Sequence, residues 1–111
     1  AAIVVMSADG AVRAMVGDLA SGAGAQETSA RFHGTVIAAA VEVSRALLDT
    51  NGALPVALSG GVFQNPLLSA GIAHELMNNT KVLRHSAVPP GDGGIALGQV
   101  LIADAVSRDK E

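Results

Sequence analysis

Apolar residues recur at helical intervals in four stretches of the chain, separated by short apolar runs that read as strands. Val12, Met15, Val16 and Leu19 fall three or four apart, which puts them on one face of a helix over residues 11–19. The SGAGA run at residues 21–25 breaks that pattern. A longer helix is predicted over residues 26–49, with Phe32, Val36, Ala40, Val41, Val43 and Leu47 as its stripe. Thr50, Asn51 and Gly52 end it, the last two being common left-handed stops. Asn65 then Pro66 make a strong helix start, because asparagine accepts a backbone N–H at the cap and proline fits the first helical position. That helix runs to about residue 77 with Leu68, Ile72 and Leu76 on its buried face, and Asn78, Asn79 and Thr80 stop it. The last helix carries Leu97, Leu101 and Ala105 on a face expected to be buried, and residues 107–111 are expected to fray. Gly98 lies inside that helix, where glycine costs about 1 kcal/mol against alanine, so a close neighbour is expected there.

Three short runs read as strands: AIVVM at residues 2–6, PVALS at 55–59 and KVLRH at 81–85. The last two flank the Asn65 helix, a βαβ spacing that implies parallel pairing and a right-handed crossover. The class is α/β, a small and at least partly parallel sheet with helices packed on it, and 111 residues make one domain or lobe.

Composition narrows the function. Half the residues are apolar and 15% are charged, so the chain packs, and its apolar surface favours self-association. A net charge of −3, no Trp or Tyr, and only Phe32 and Phe63 as aromatics argue against direct nucleic-acid binding. Absence of cysteine excludes disulfides, thiolate zinc sites and a cysteine nucleophile. No apolar run is long enough to cross a bilayer and no signal-peptide pattern opens the chain, so no membrane association and a cytoplasmic location are expected. The first methionine is Met6, and the chain is expected to be a piece of something longer.

Two glycine-rich turns carry the candidate chemistry. In VPPGDGGIALG, residues 88–98, Pro89 and Pro90 end what precedes them, and Gly91, Gly93 and Gly94 present Asp92 at the entry of the last helix. An aspartate there caps a helix; equally, it can hold a metal ion while neighbouring backbone N–H groups hold phosphate. In LSGGVFQNP, residues 58–66, a strand runs into Gly60 and Gly61 and a capped helix follows. Such a turn brings bare backbone and a helix N-terminus up to a nucleotide, although paired glycines also make plain tight turns. Gly91, Gly93 and Ala96 match a dinucleotide GxGxxA pattern, but the two prolines interrupt the strand-to-helix turn it needs. His33 reads as a helical histidine bonded to a neighbour, His74 beside Glu75 as part of a solvated face, and His85 as a strand end open to either role.

SGGVFQN, then a helix, a strand and VPPGDGGIALGQ, resembles the C-terminal segment of the HypF carbamoyltransferases of [NiFe]-hydrogenase maturation. ARFHGTV at residues 30–36 is similar to that family as well, and in the same order. The resemblance covers roughly residues 12–105. It implies a Kae1-like fold, the C-terminal lobe of an actin-like ATPase (ASKHA) domain, with relatives among O-carbamoyltransferases and tRNA threonylcarbamoyl transferases. It further implies that Gly60, Gly61 and Asn65 line ATP, that Asp92 is a ligand of a divalent metal ion, and that Gly91 and Gly93 shape the loop around it. In such enzymes carbamoyl phosphate and ATP give a carbamoyl adenylate, and the carbamoyl group passes to the C-terminal cysteine of the partner HypE. One departure stands out: the family's metal site uses an HxxxH pair, and His33, His74 and His85 are nowhere four apart. The chain is therefore expected to hold about half of one active site and to be inactive alone. A stand-alone nucleotide-binding module of the same fold is the alternative to an enzyme fragment.

Overall fold

The computed structural model describes residues 7–109, so the strand expected over residues 2–6 lies outside the described residues. Four helices and two strands follow in the order α1 (Asp9–Ala20), α2 (Ala25–Asn51), β1 (Val56–Leu58), α3 (Pro66–Leu76), β2 (Val82–Arg84) and α4 (Ile95–Arg108). Single 3₁₀ turns precede the last two helices, Gly61–Gln64 before α3 and Asp92–Gly94 before α4. The strands are parallel, with Val56 opposite Val82, Ala57 opposite Leu83 and Leu58 opposite Arg84, so they end level with one another. This is the predicted βαβ unit, and the class is α/β with a small parallel sheet.

The predicted helix signals act where they were expected. Asn65 caps α3, its side-chain oxygen accepting from the Leu67 and Leu68 amides, and Pro66 occupies the first turn. Gly52 stops α2 at φ 82°, a value that side chains resist. Leu68, Ile72 and Leu76 form the buried face of α3, with Ile72 2% and Leu76 0% exposed. With Val41 of α2 and Leu58 of β1, Ile72 and Leu76 make the core, and Ile37, Ala40, Val56, Phe63 and Val82 pack around it.

Gly71 explains how closely α2 and α3 approach. A Cβ there would stand 2.5 Å from Ile37 Cδ1, so Ile37 fills the space a side chain on α3 would need. Polar ties reinforce the crossings. Arg45 Nη2 donates to the Glu75 carbonyl at the end of α3, and Arg31 bridges Asp18 of α1 and Glu27.

The last helix departs from expectation. Ile95, Leu97, Val100, Leu101, Ile102 and Val106 are all exposed, and nothing lies within 4 Å of where a Gly98 Cβ would stand. Helix α4 therefore projects from the body, and no close neighbour accounts for Gly98. Its end does not fray at residue 107: the helix includes Ser107 and Arg108, and Arg108 pairs with Asp104 one turn back at 2.8 Å. A radius of gyration of 17.9 Å records the extension, against about 13 Å for a compact chain of this length. Helix α1 likewise leaves Val12, Val16 and Leu19 exposed.

Unequal burial makes unequal substitutions. Ile72→Ala or Leu76→Ala should cost about 2–5 kcal/mol of stability, whereas Leu101→Ala, 60% exposed, should stay within about 0.5 kcal/mol. Urea denaturation followed by circular dichroism separates the two classes.

Candidate functional site

Parallel strands that end level deliver their following loops to one edge, the place where open α/β sheets take ligands. The first residues beyond β1 and β2 already touch there, His85 Nε2 lying 3.0 Å from Ser59 Oγ. One residue further, the Gly60 N–H donates to the Pro90 carbonyl at 2.8 Å. A Cβ on Gly91 would stand 3.4 Å from the Gly61 Cα and 2.9 Å from Gln64 Nε2. The doubled-glycine turn and the proline-aspartate loop, far apart in the chain, thus lie against each other.

Each glycine has a distinct part in that contact. Gly60 has φ 108° and ψ 158°, a region essentially closed to other residues. Gly61 has ordinary backbone geometry, and both Gly60 and Gly61 have open space where a side chain would stand. Gly61 is exposed and Gly60 half-buried, the Gly60 N–H being taken by the Pro90 carbonyl. Gly91 has a φ of −98° that suits any residue, and a Cβ there would touch the Gly61 backbone and crowd the flexible end of Gln64. Gly93 and Gly94 let the loop fold over Pro89: a Cβ on Gly93 would be 3.1 Å from Pro89 Cγ, and one on Gly94 2.9 Å from the Pro89 carbonyl oxygen.

Asp92 does not act as a helix cap. Gly94 holds the cap position of α4, no side chain caps it, and the Asp92 backbone carbonyl accepts the Ile95 N–H as the 3₁₀ turn closes. The exposed carboxylate is left to face solvent beside the doubled-glycine turn. Among the described residues no three His, Asp, Glu or Cys side chains gather closely enough to hold a metal ion. Asp92 thus stands without two further ligating side chains beside it among the described residues.

Asn65 caps α3, as its position before Pro66 predicts. Its Oδ1 receives the Leu67 and Leu68 amides at 3.0 and 3.4 Å, and Ser69 N donates to its carbonyl. The N-terminus of α3 is thereby satisfied from within and offers no free anion site. The other end of the same side chain reaches α2, Asn65 Nδ2 lying 2.9 Å from His33 Nε2. His33 Nδ1 in turn lies 2.8 Å from the Ser29 carbonyl. The histidine is bonded to a helical neighbour, as its position predicts; the bond to Asn65 was not foreseen, since 32 residues separate the pair. His74 is exposed on α3, as expected of a solvated face.

Residues 2–99 match the family described as "Carbamoyltransferase, Kae1-like Domain, second subdomain". The chain is 38% identical over 76 residues to "Carbamoyltransferase HypF2" of Cupriavidus necator, covering 68% of this chain and 9% of that protein. It is 34% identical over 87 residues to "Carbamoyltransferase HypF" of Rhodobacter capsulatus, covering 78% of this chain and 12% of that one. With the HypF of Rhizobium leguminosarum bv. viciae it shares 38% over 76 residues, 68% of this chain and 10% of that one. The chain thus spans about a tenth of the length of these curated relatives. No solved structure matches it.

The two adjoining glycines should respond differently to the same change. Gly60→Ala forces an alanine into glycine-only backbone space and should cost about 1–3 kcal/mol. Gly61→Ala, with ordinary φ and open space, should cost less than about 0.5 kcal/mol. Paired urea melts of the two variants measure the difference.

Proposed function

The chain belongs to the HypF carbamoyltransferase family, and we propose that it is the lobe of an actin-like ATPase domain that lays the nucleotide-facing turn of the transferase site. The observation that carries this reading is the contact between the two glycine turns at the carboxyl edge of the parallel strands, sealed by the Gly60 N–H to Pro90 carbonyl bond. Gly60 and Gly61 offer open backbone for the nucleotide, Asn65 fixes the turn beneath it, and Gly91 and Gly93 set the loop that presents Asp92. In this reading the substrates are ATP and carbamoyl phosphate, and the acceptor is the C-terminal cysteine of a HypE-type partner. Transfer breaks the carbamoyl C–O bond to the nucleotide and forms a C–S bond, with AMP leaving.

The lobe's part is to bind and orient. No side chain of the chain is assigned to bond making or breaking. Asp92 would serve as one ligand of a divalent ion whose remaining ligands come from outside the described residues, since no three ligating side chains gather among them. The 111-residue chain alone therefore binds nucleotide weakly and transfers no carbamoyl group. Bringing two loops together also makes binding sensitive to their spacing. A bulky residue at Gly91 meets the Gly61 backbone and pushes the loops apart.

Titration calorimetry tests the reading. ATP should bind the chain with a Kd on the order of a millimolar, more weakly still in Gly91→Val, and Asp92→Asn should lose any dependence of that affinity on divalent ions. Equal affinity in the chain and in Gly91→Val would remove the shared cleft from the account.

A further inference from the structure

We infer that His33 is a positioning residue for this site: as a neutral imidazole carrying its proton on Nδ1, it fixes the amide plane of Asn65 and, through it, the doubled-glycine turn. The tautomer follows from its two shorter contacts, the Ser29 Oγ standing further off at 3.4 Å from Nδ1. The Ser29 carbonyl can only accept, so the Nδ1 at 2.8 Å carries the hydrogen. The Asn65 Nδ2 can only donate, so the Nε2 at 2.9 Å accepts. The orientation of the Asn65 amide is fixed independently, because its other end receives the Leu67 and Leu68 N–H groups and must be the oxygen. Three elements, the α2 backbone, the turn and the first turn of α3, are thereby joined through two side chains whose polar atoms have no spare orientation.

A second proton on His33 breaks that arrangement in either of two ways. If Asn65 stays, two N–H donors face each other. If its amide flips to offer Oδ1 to the imidazolium, Nδ2 turns toward the Leu67 and Leu68 donors and the cap of α3 is lost. The surface pocket that His33 shares is otherwise lined by Ala25, Gln26, Ser29, Ala30 and Leu67, none of them ionisable. Among the described residues no carboxylate lies within salt-bridge distance of it, Asp18 and Glu27 being paired with Arg31.

The consequence for nucleotide binding rests on the function proposed above, whereas the link to Asn65 does not. The test therefore reads both. In ¹⁵N NMR spectra of the 111-residue chain taken from about pH 8 to about pH 5, His33 should show the Nδ1–H tautomer while neutral, and the Asn65 side-chain amide signals should move once the ring takes a second proton. In His33→Gln, whose Oε1 can accept from Asn65 Nδ2 but does not titrate, the Asn65 signals should hold still over that range. ATP affinity, by calorimetry, should fall roughly three- to tenfold with acid in the unmodified chain, stay level in His33→Gln and be low at both ends in His33→Ala. An Nε2–H tautomer, or Asn65 signals indifferent to His33 protonation, would overturn the inference. Absence of ATP binding at every pH, with the Asn65 signals behaving as described, would leave the positioning role standing and remove the nucleotide reading instead.

Discussion

One main-chain hydrogen bond, from the Gly60 N–H to the Pro90 carbonyl, joins two loops that the sequence holds thirty residues apart. It forms because β1 and β2 are parallel and in a register that ends them level, so both chains leave the sheet at the same edge. The backbone at Gly60 reaches the bond only through a conformation that glycine alone adopts readily. Gly91 lies against Gly61 from the other loop, a Cβ on it standing 3.4 Å from the Gly61 Cα. Sheet register and a special backbone angle are thus two conditions of one contact, and the presentation of Asp92 depends on both.

The rest of the chain divides into a part that encloses itself and a part that does not. Ile72, Leu76, Val41 and Leu58 enclose a small core between α2, α3 and the sheet. Helix α4 carries an apolar surface on nearly every side with no partner among the described residues. Burial of such side chains stabilises by about 1.5–3 kcal/mol each when it occurs. The edge that carries the two glycine turns and the uncovered helix are adjacent, since α4 begins where the Asp92 loop ends.

Local chemistry was legible in the sequence wherever a residue acts on its own backbone. Asn65 and Pro66 start α3, Gly52 stops α2, and the three-four spacing of Leu68, Ile72 and Leu76 marks a face that is buried. The same periodicity misled for Leu97, Leu101 and Ala105, because spacing reports which residues share a face and not whether anything covers it. Asp92 resembled a cap for a related reason: position before a helix favours capping, yet an intervening 3₁₀ turn moved the cap to Gly94. Gly71 and the bond between His33 and Asn65 escaped notice, since each depends on how α2 and α3 cross, which spacing along one helix does not encode. The motif order that suggested the family, by contrast, needed no geometry, and the family match over residues 2–99 agrees with it.

The amide at position 65 has one further implication. Its nitrogen is the atom that sets a donor against His33, while its oxygen alone holds the cap. A carboxylate of the same size, Asn65→Asp, would keep the capping oxygen and turn a neutral handshake into an attraction for the imidazolium. A single nitrogen-for-oxygen exchange would thus leave the cap in place while removing the donor that faces His33.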